Sequence, residues 1–291
     1  MKKILLATAA VMSTASLASA ELALSGYGRF GWTDDGTNGP NGGRFETRMR
    51  INMAASVETD SGLTLSAFER FQADDGGILT GSGARFGVAV GGLSVQIGNI
   101  SGAIESMPIH YIADLGLTGA GSSTAVRGNV DTYSSGGAGV NGVRVAYNIA
   151  GFNIVGSYSD DKSNDANRLV SGRTAVSASY QMGDWRLSAG NQKAKGNNVA
   201  VVGVDGTIGD FGVALTHSQS SGAKKTLVSG NYTMGASTFR AYVGKDEGLG
   251  AKDTVYGVGM DYDLGGASAH VGITKTGAAK TAWEAGLLFN F

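Results

Sequence analysis

The sequence has 291 residues, of which 23 are basic and 24 acidic, with no basic tract that would indicate a nucleic-acid partner. It has no cysteine, which excludes disulfides and thiolate metal sites. Its 48 glycines and two prolines do not suit a collagen-like or disordered chain, and the lack of an apolar run of about 18 residues after the first twenty excludes transmembrane helices.

The first twenty residues are predicted to be a secretory signal peptide. Lys2 and Lys3 give a positive start, a short apolar run follows, and Ala18-Ser19-Ala20 has the pattern of a cleavage site. An uncleaved anchor is disfavoured because the apolar run is too short to cross a bilayer as a helix. The mature chain is then expected to be a single domain, residues 21–291.

The mature chain opens with polar and apolar residues in alternation, the period-two pattern of β-strands. Residues 22–32 form the first predicted strand. Residues 44–57 form the second, in which arginines and other polar residues alternate with apolar ones. Residues 63–72 form the third, where Glu69 falls on the apolar face; a subunit interface would explain this exception.

The same pattern repeats to the end of the chain. Further strands are predicted at residues 84–90, 93–99, 142–148, 152–159, 173–182, 185–193, 199–208, 211–219, 225–234, 237–245, 254–262, 267–275 and 282–291. The total is sixteen, and strands of about ten residues match the tilted span of a membrane barrel. The last strand carries apolar residues up to Phe291, which suits a face in contact with lipid. The sequence therefore predicts an all-β fold, a sixteen-stranded antiparallel transmembrane β-barrel.

The connections alternate between tight turns and longer loops, which is typical of outer-membrane barrels. The connection at residues 100–141 is far longer than the others. Long connections in compact folds usually serve a function, and a sixteen-stranded barrel is wide enough to hold water and an inserted loop. We therefore predict that this third external loop folds inward and narrows the bore.

Five fragments, in this order along the mature chain, carry a family resemblance: Leu24-Ser-Gly-Tyr-Gly-Arg-Phe30, Arg44-Phe-Glu-Thr-Arg-Met-Arg50, Asp60-Ser-Gly-Leu63, Tyr256-Gly-Val-Gly-Met-Asp-Tyr-Asp-Leu-Gly-Gly266 and the terminal Phe291. With them the chain resembles the trimeric general-diffusion porins of Gram-negative bacteria, most closely those of purple photosynthetic bacteria. The resemblance implies a homotrimer in the bacterial outer membrane, in contact with lipid and lipopolysaccharide. It also implies passive diffusion of small hydrophilic solutes and ions. Phe291 resembles the terminal aromatic residue that the outer-membrane assembly machinery recognises.

The resemblance further implies a constriction in which basic residues of the wall face acidic residues of the third loop. The wall residues would be Arg29, Arg44, Arg48, Arg50 and Arg70, and the loop residues Glu105 and Asp114. Arginines two positions apart on one strand stand about 7 Å from each other, which a dry core would not tolerate but a water-filled lumen does. The alternative is that these arginines, and Arg85, only solvate the lumen or pair with Glu46.

No cofactor is expected, but clustered acids on two external loops offer oxygen ligands to structural Ca²⁺ or to cations that bridge lipopolysaccharide. These acids are Asp34, Asp35, Asp160, Asp161 and Asp165. Their spacing differs from that of an EF-hand, so solvated loop acids are the competing interpretation.

Three alternative functions remain open, of which one is a purely structural adhesin. A substrate-selective porin would need a track of aromatic residues on the long loop, for which Tyr111 and Tyr133 are the candidates. A barrel enzyme such as a lipase would need His110 or His217 beside a serine and an acid. The three histidines lie on separate predicted elements without metal-ligand spacing, so no enzyme is predicted.

Overall fold

The structure, a computed structural model, describes residues 20–36, 42–119, 125–137, 139, 141–160, 172–194, 196–277 and 281–291. The predicted signal peptide lies outside these residues except for Ala20. The strands are β1 (Glu21–Asp34), β2 (Gly43–Glu58), β3 (Thr64–Asp74), β4 (Thr80–Gly81), β5 (Arg85–Val90), β6 (Leu93–Asn99), β7 (Asn141–Ile149), β8 (Phe152–Asp160), β9 (Arg173–Met182), β10 (Trp185–Ala194), β11 (Val199–Ile208), β12 (Phe211–Ser220), β13 (Ala223–Met234), β14 (Ser237–Asp246), β15 (Thr254–Asp263), β16 (Ala267–Thr276) and β17 (Thr281–Asn290). A one-turn 3-10 helix, Glu247–Leu249, follows β14. Within the described residues, no helix has both the length and the hydropathy needed to cross a bilayer.

The strands form one antiparallel sheet that closes on itself, since β1 pairs with β2 on one side and with β17 on the other. The two-residue strand β4 pairs with β3 beyond the end of the β3–β5 ladder, so β4 and β5 together occupy one position in the barrel. The predicted sixteen-stranded antiparallel barrel is therefore confirmed. Between β4 and β5 the chain bridges to Gly137 through Ser82, a long-range pairing that no local pattern reports.

Short turns join the strands at one end of the barrel. Two residues connect β5 to β6, and the same holds for the β7–β8, β9–β10, β11–β12 and β13–β14 connections. In the first of these turns Gly91 and Gly92 have φ angles of 54° and 86°, which only glycine adopts without strain. At the other end, residues 100–140 between β6 and β7 form by far the longest connection, which we call the long loop.

Apolar side chains are exposed on one face of the sheet and polar side chains are buried on the other, which is the reverse of the arrangement in a water-soluble protein. On β2, Phe45 is 76% exposed whereas Glu46 is 3% exposed, and on β12, Leu215 is 45% exposed whereas Ser218 is fully buried. Alternation along each strand places one residue in two on each face. The apolar residues therefore form the outer face, and the polar and small residues form the inner face.

The apolar core lies between the long loop and the inner face. Ile104, Met107 and Ile109 of the loop pack against Val155 of β8 and Val199 of β11. In a second cluster, the buried hydrophobic residues are Ala113, Leu115, Ala125, Leu227, Tyr242 and Val255. The loop is thus a packed part of the fold.

The seam between the first and last strands depends on glycines. Beyond the β1–β17 ladder, the Gly26 N–H donates to the Phe291 carbonyl at 2.7 Å, and the Phe291 N–H donates back at 3.0 Å. A Cβ on Gly28 would lie 2.5 Å from the ring of Phe289, and one on Gly26 would lie 2.8 Å from the ring of Phe291. These glycines give both rings room to lie over β1.

Candidate functional site

A buried ion pair fixes the last part of the long loop to the wall. Asp131 accepts one hydrogen bond from Arg173 of β9 and another from Ser159 of β8, both at 2.5 Å. Asp131 is 1% exposed and Arg173 is 5% exposed. Gln192 of β10 accepts from the Asp131 N–H at 3.3 Å and donates to the Asn129 carbonyl at 2.9 Å. Both carboxylate oxygens are therefore satisfied, as a buried charge requires.

The middle of the loop is held on the opposite side of the barrel. The backbone N–H and the hydroxyl of Thr118 donate to the two oxygens of Glu284 on β17, at 2.9 and 2.5 Å. A further ion pair joins Arg127 of the loop to Asp246 at the end of β14. The loop is thus attached to the wall at three separated points.

Glycines on the inner face allow the apolar side chains of the loop to approach the strands. A Cβ on Gly190 of β10 would lie 2.6 Å from Ile104, and one on Gly203 of β11 would lie 2.7 Å from Ile109. The same close approach pairs Gly257 with Leu115 and Gly286 with Leu117. Larger residues at these positions would push the loop away from the wall.

Four arginines gather on the wall formed by β2, β3, β5 and β7, and we call them the arginine cluster: Arg50, Arg70, Arg85 and Arg144. All four are half-buried. Arg50 Nη2 and Arg70 Nη1 donate to the hydroxyl of Ser135 at 3.4 and 2.9 Å. The guanidinium carbons of Arg70 and Arg85 lie 4.7 and 5.2 Å from the ring centre of Tyr133. The last part of the long loop therefore lies directly against the cluster.

Glu105 supports this contact from within the loop. Its carboxylate accepts from the Tyr111 hydroxyl at 2.9 Å and from the Tyr133 N–H at 2.7 Å. It also attracts Arg85 electrostatically. Among the described residues, however, no carboxylate oxygen lies within 4.0 Å of a nitrogen of the arginine cluster. The cluster is thus a site of positive charge that has only a distant acidic counterpart.

Comparison with known proteins decides the family. A sequence profile described as Gram-negative porin matches residues 7–278. The chain belongs to the Gram-negative porin family. It is 31% identical to a porin of Fuscovulum blasticum, over 93% of this chain and 100% of that protein. A solved five-substitution variant of the Rh. blastica porin has a TM-score of 0.84 at 28% identity, and the alignment covers 93% of this chain and 100% of that one.

A second solved structure, a triple mutant of the Rhodopseudomonas blastica porin, matches with a TM-score of 0.83 at 29% identity and the same coverage. The porin family and the closed barrel agree with the exposed apolar outer face. This porin is therefore a multi-pass β-barrel channel of the outer membrane. Its relatives in the family are channels and not enzymes.

Two predicted wall residues of this porin lie on the inner face but are neutralised by nearby acids. Arg48 forms an ion pair with Asp74 of β3. Arg44, at the start of β2, lies 3.7 Å from Glu46 and 3.6 Å from Asp75. Arg50 and Arg70, by contrast, belong to the arginine cluster.

The structure corrects the expected position of Arg29. Its side chain is 8% exposed, donates from Nε to Glu46 at 2.9 Å, and donates from Nη1 to the Leu117 carbonyl at 3.2 Å. It therefore lies beneath the long loop, with little of its surface exposed. The reason is that Gly31 and Gly286 lack side chains, which allows Leu117 to settle over this part of the wall.

Asp114 also differs from the expectation, since its main electrostatic partner is Arg240 of β14 and not the arginines of β2 and β3. Burial raises the pKa of Asp114 to about 7, although the positive charge of Arg240 acts to lower it. One of its carboxylate oxygens is buried without a hydrogen-bond partner among the described residues. Protonation of this group near neutral pH follows from that environment.

The two histidines considered for catalysis have other environments. His110 is 1% exposed, and neither ring nitrogen has a hydrogen-bond partner among the described residues. Burial, and to a smaller extent the charge of Lys225, lower the pKa of His110 to about 4. His217 is exposed on the outer face and lies 2.8 Å from the Thr226 hydroxyl. Neither therefore matches the enzyme alternative.

His270 of β16 is the histidine that does lie between a serine and an acid. Its Nε2 is 2.6 Å from the Ser268 hydroxyl and its Nδ1 is 2.8 Å from Asp261. Arg240 also donates to Asp261, at 2.7 Å. Ser268 is paired in the ladders on both sides of β16, where backbone N–H groups are used between strands. Ser268, His270, Asp261 and Arg240 thus form one hydrogen-bonded network across three neighbouring strands.

The predicted cation sites lie mostly outside the described residues. Asp161, Asp165 and the side chain of Asp160 are not described. Asp34 accepts from the Gly36 N–H at 2.8 Å, as in a turn stabilised by its own aspartate. In the described part of the chain, no group of three or more His, Cys, Asp or Glu residues is placed to hold a metal. A Ca²⁺ site on these loops, and at Asp35, stays a prediction.

The anchors of the loop and one member of the arginine cluster were not predicted from the sequence. Arg144 lies on the polar parity of β7, and Glu284 is the acid on the polar parity of β17. This parity was the available signal for both. The partners of Glu284 are more than 160 positions away in the sequence, and no local pattern identifies them.

Proposed function

We propose that this porin is a general-diffusion channel whose narrowest part lies between the long loop and the arginine cluster. The main support is the contrast between the two sides of the barrel. From β8 to β15 the loop covers the wall with apolar side chains, whereas the arginines of β2, β3, β5 and β7 keep exposed surface. Water, ions and small hydrophilic solutes pass along the charged side. Apolar solutes pass poorly because they would have to displace water held by fixed charges.

Passive conductance in planar bilayers tests this proposal. The expected result is steady, ohmic single-channel steps without added cofactor or energy source. An absence of steps would contradict a channel of this kind. Conductance blocked by a single neutral sugar would instead favour the substrate-selective alternative, for which Tyr111 is the remaining candidate, because arginines cover Tyr133.

We further propose that three copies associate in the membrane, in contact with lipid and lipopolysaccharide. The support in this chain is Glu69, which lies on the outer face of β3 opposite Met53 and is half-buried. A charged side chain that faces lipid is destabilising, so contact with a second copy would shelter it. Light scattering after gel filtration in mild detergent should give the mass of three chains. A monomer in every detergent that preserves conductance would contradict the trimer.

A further inference from the structure

We infer that the passage prefers anions over cations, and that the arginine cluster is a weak binding site for small oxyanions that carry carboxylate or phosphate groups. The inference rests on the proposed function, because the cluster must border the water-filled path. It adds the class of solute that the site favours and the sign of the ion selectivity.

Ion pairs are unevenly distributed over the inner face. Most of the other arginines there have an acidic partner within 4.0 Å: Arg29 with Glu46, Arg48 with Asp74, Arg173 with Asp131, Arg186 with Asp205 and Arg240 with Asp261. The four arginines of the cluster have none among the described residues. Within the part of the chain that the structure describes, Glu105 is the acid that attracts Arg85, and its oxygens already accept from Tyr111 and Tyr133. The wall at the cluster therefore carries positive charge without an adjacent acid, whereas these five arginines are each paired with one.

The directions of the guanidinium groups also favour an anion site. Nε of Arg50 donates to Gln72 at 2.7 Å, and Nε of Arg70 donates to Asn52 at 2.9 Å. These bonds to neutral side-chain amides hold the base of each group in place without neutralising it. The terminal nitrogens of both arginines then converge on the hydroxyl of Ser135. An oxygen of an anion would be a stronger acceptor than this neutral hydroxyl, and guanidinium groups match the geometry of carboxylate and phosphate oxygens.

Aromatic rings support the cluster from beneath. Arg50 lies 4.9 Å from the ring centre of Tyr27, and Arg85 lies 4.7 Å from that of Phe68. Aromatic faces attract cations but carry no net charge. The rings therefore hold the arginines close together without neutralising them, and a passing anion is attracted by their positive charge.

The size of the preference follows from Coulomb's law. Four positive charges against one negative charge leave a net charge of about three, and ions passing about 10 Å away at 0.1 M salt are partly screened. The expected permeability ratio of chloride to potassium is then about 2 to 10. Dianions should feel the same potential about twice as strongly as chloride does.

The reversal potential in a tenfold KCl gradient tests the selectivity. The expected sign is that of a chloride-preferring channel. Replacing two cluster residues, Arg70→Gln with Arg85→Gln, leaves a net charge of about one and should lower the ratio to about 1–2. The matched control is Arg186→Gln, which removes one charge from an ion pair with Asp205 outside the cluster, and it should leave the wild-type preference in place.

The binding site is tested by adding inorganic phosphate or succinate to wild-type channels in KCl. Either dianion should reduce chloride conductance at millimolar concentration, and the Arg70→Gln, Arg85→Gln channel should lose this effect. Block by phosphate alone would show that the site binds phosphate groups, and block by succinate alone would show that it binds carboxylates. Block by neither would overturn the binding site. Normal conductance steps with a preference for potassium would overturn the selectivity but leave the channel function intact. The absence of any steps would refute the proposed channel function itself, and the inference with it.

Discussion

The ion pair between Asp131 and Arg173 gives the sharpest prediction about the long loop. Asp131→Asn keeps the size and shape of the side chain but leaves Arg173, which is 5% exposed, without an opposite charge. Removing one partner of a buried ion pair costs about 3–5 kcal/mol. Because the strand ladder holds Arg173 in place, we expect most of this cost to fall on the loop. The equilibrium constant for release of residues 125–137 should therefore rise by roughly 10²–10⁴.

Hydrogen exchange of the backbone amides in that segment measures the change, and the conductance of single channels should become noisier at the same time. The control is Asp205→Asn, which breaks a more exposed ion pair with Arg186 on neighbouring strands. It should cost about 1 kcal/mol or less and leave the exchange of the loop unchanged. Equal protection of the loop in wild type and Asp131→Asn would refute the anchoring role of the ion pair.

Two predictions concern pH and a third concerns the seam of the barrel. The pKa of His110 is lowered to about 4, and the pKa of Asp114 is raised to about 7. Between pH 4 and 6.5, His110 is neutral in the folded loop but binds a proton when released, so its contribution to the stability of the loop increases with pH. Asp114 binds a proton in the folded loop but not when released, so its contribution decreases with pH. In His110→Leu, the protection of the loop amides against hydrogen exchange, corrected for intrinsic rates, should decrease as pH rises from 4 to 7. Protection that does not change with pH would contradict this. Asp114→Asn should show the opposite slope between pH 4 and 6.5, and an unchanged wild-type profile would argue against its raised pKa. Gly28→Val should lower the thermal unfolding midpoint by the equivalent of about 1–3 kcal/mol through overpacking against Phe289, and adding Phe289→Leu should recover part of the loss; no recovery would show that the clash lies elsewhere.

The strands were predictable because polar and apolar residues alternate along each strand according to the face on which they lie. Phe45 and Met49 lie on the outer face and Glu46 and Arg48 on the inner face, as the alternation along β2 predicts. Ser82, by contrast, leaves the ladder to bridge Gly137, and nothing in the sequence near either residue indicates this contact.

The site was predictable in its residue types but not in its pairings. Arg50 and Arg70 were expected on the wall because polar parity fixes the face of a strand residue. The loop positions were not fixed in this way, since no periodic ladder determines where Asp114 lies relative to the wall. Asp114 is consequently near Arg240, and Arg29 is covered by Leu117. Such contacts depend on how a non-repetitive segment packs.

Because the long loop packs against glycines of the inner face, the width of the proposed channel can change while the number of strands stays the same. The circumference of the barrel is set by strand pairing and does not depend on the loop inside it. A methyl group added at Gly190 or Gly203 would displace Ile104 or Ile109 toward the far side by the thickness of that group. Single small substitutions beneath the loop of this porin would thus change its permeability, with the outer rim and the lipid-facing surface left as they are.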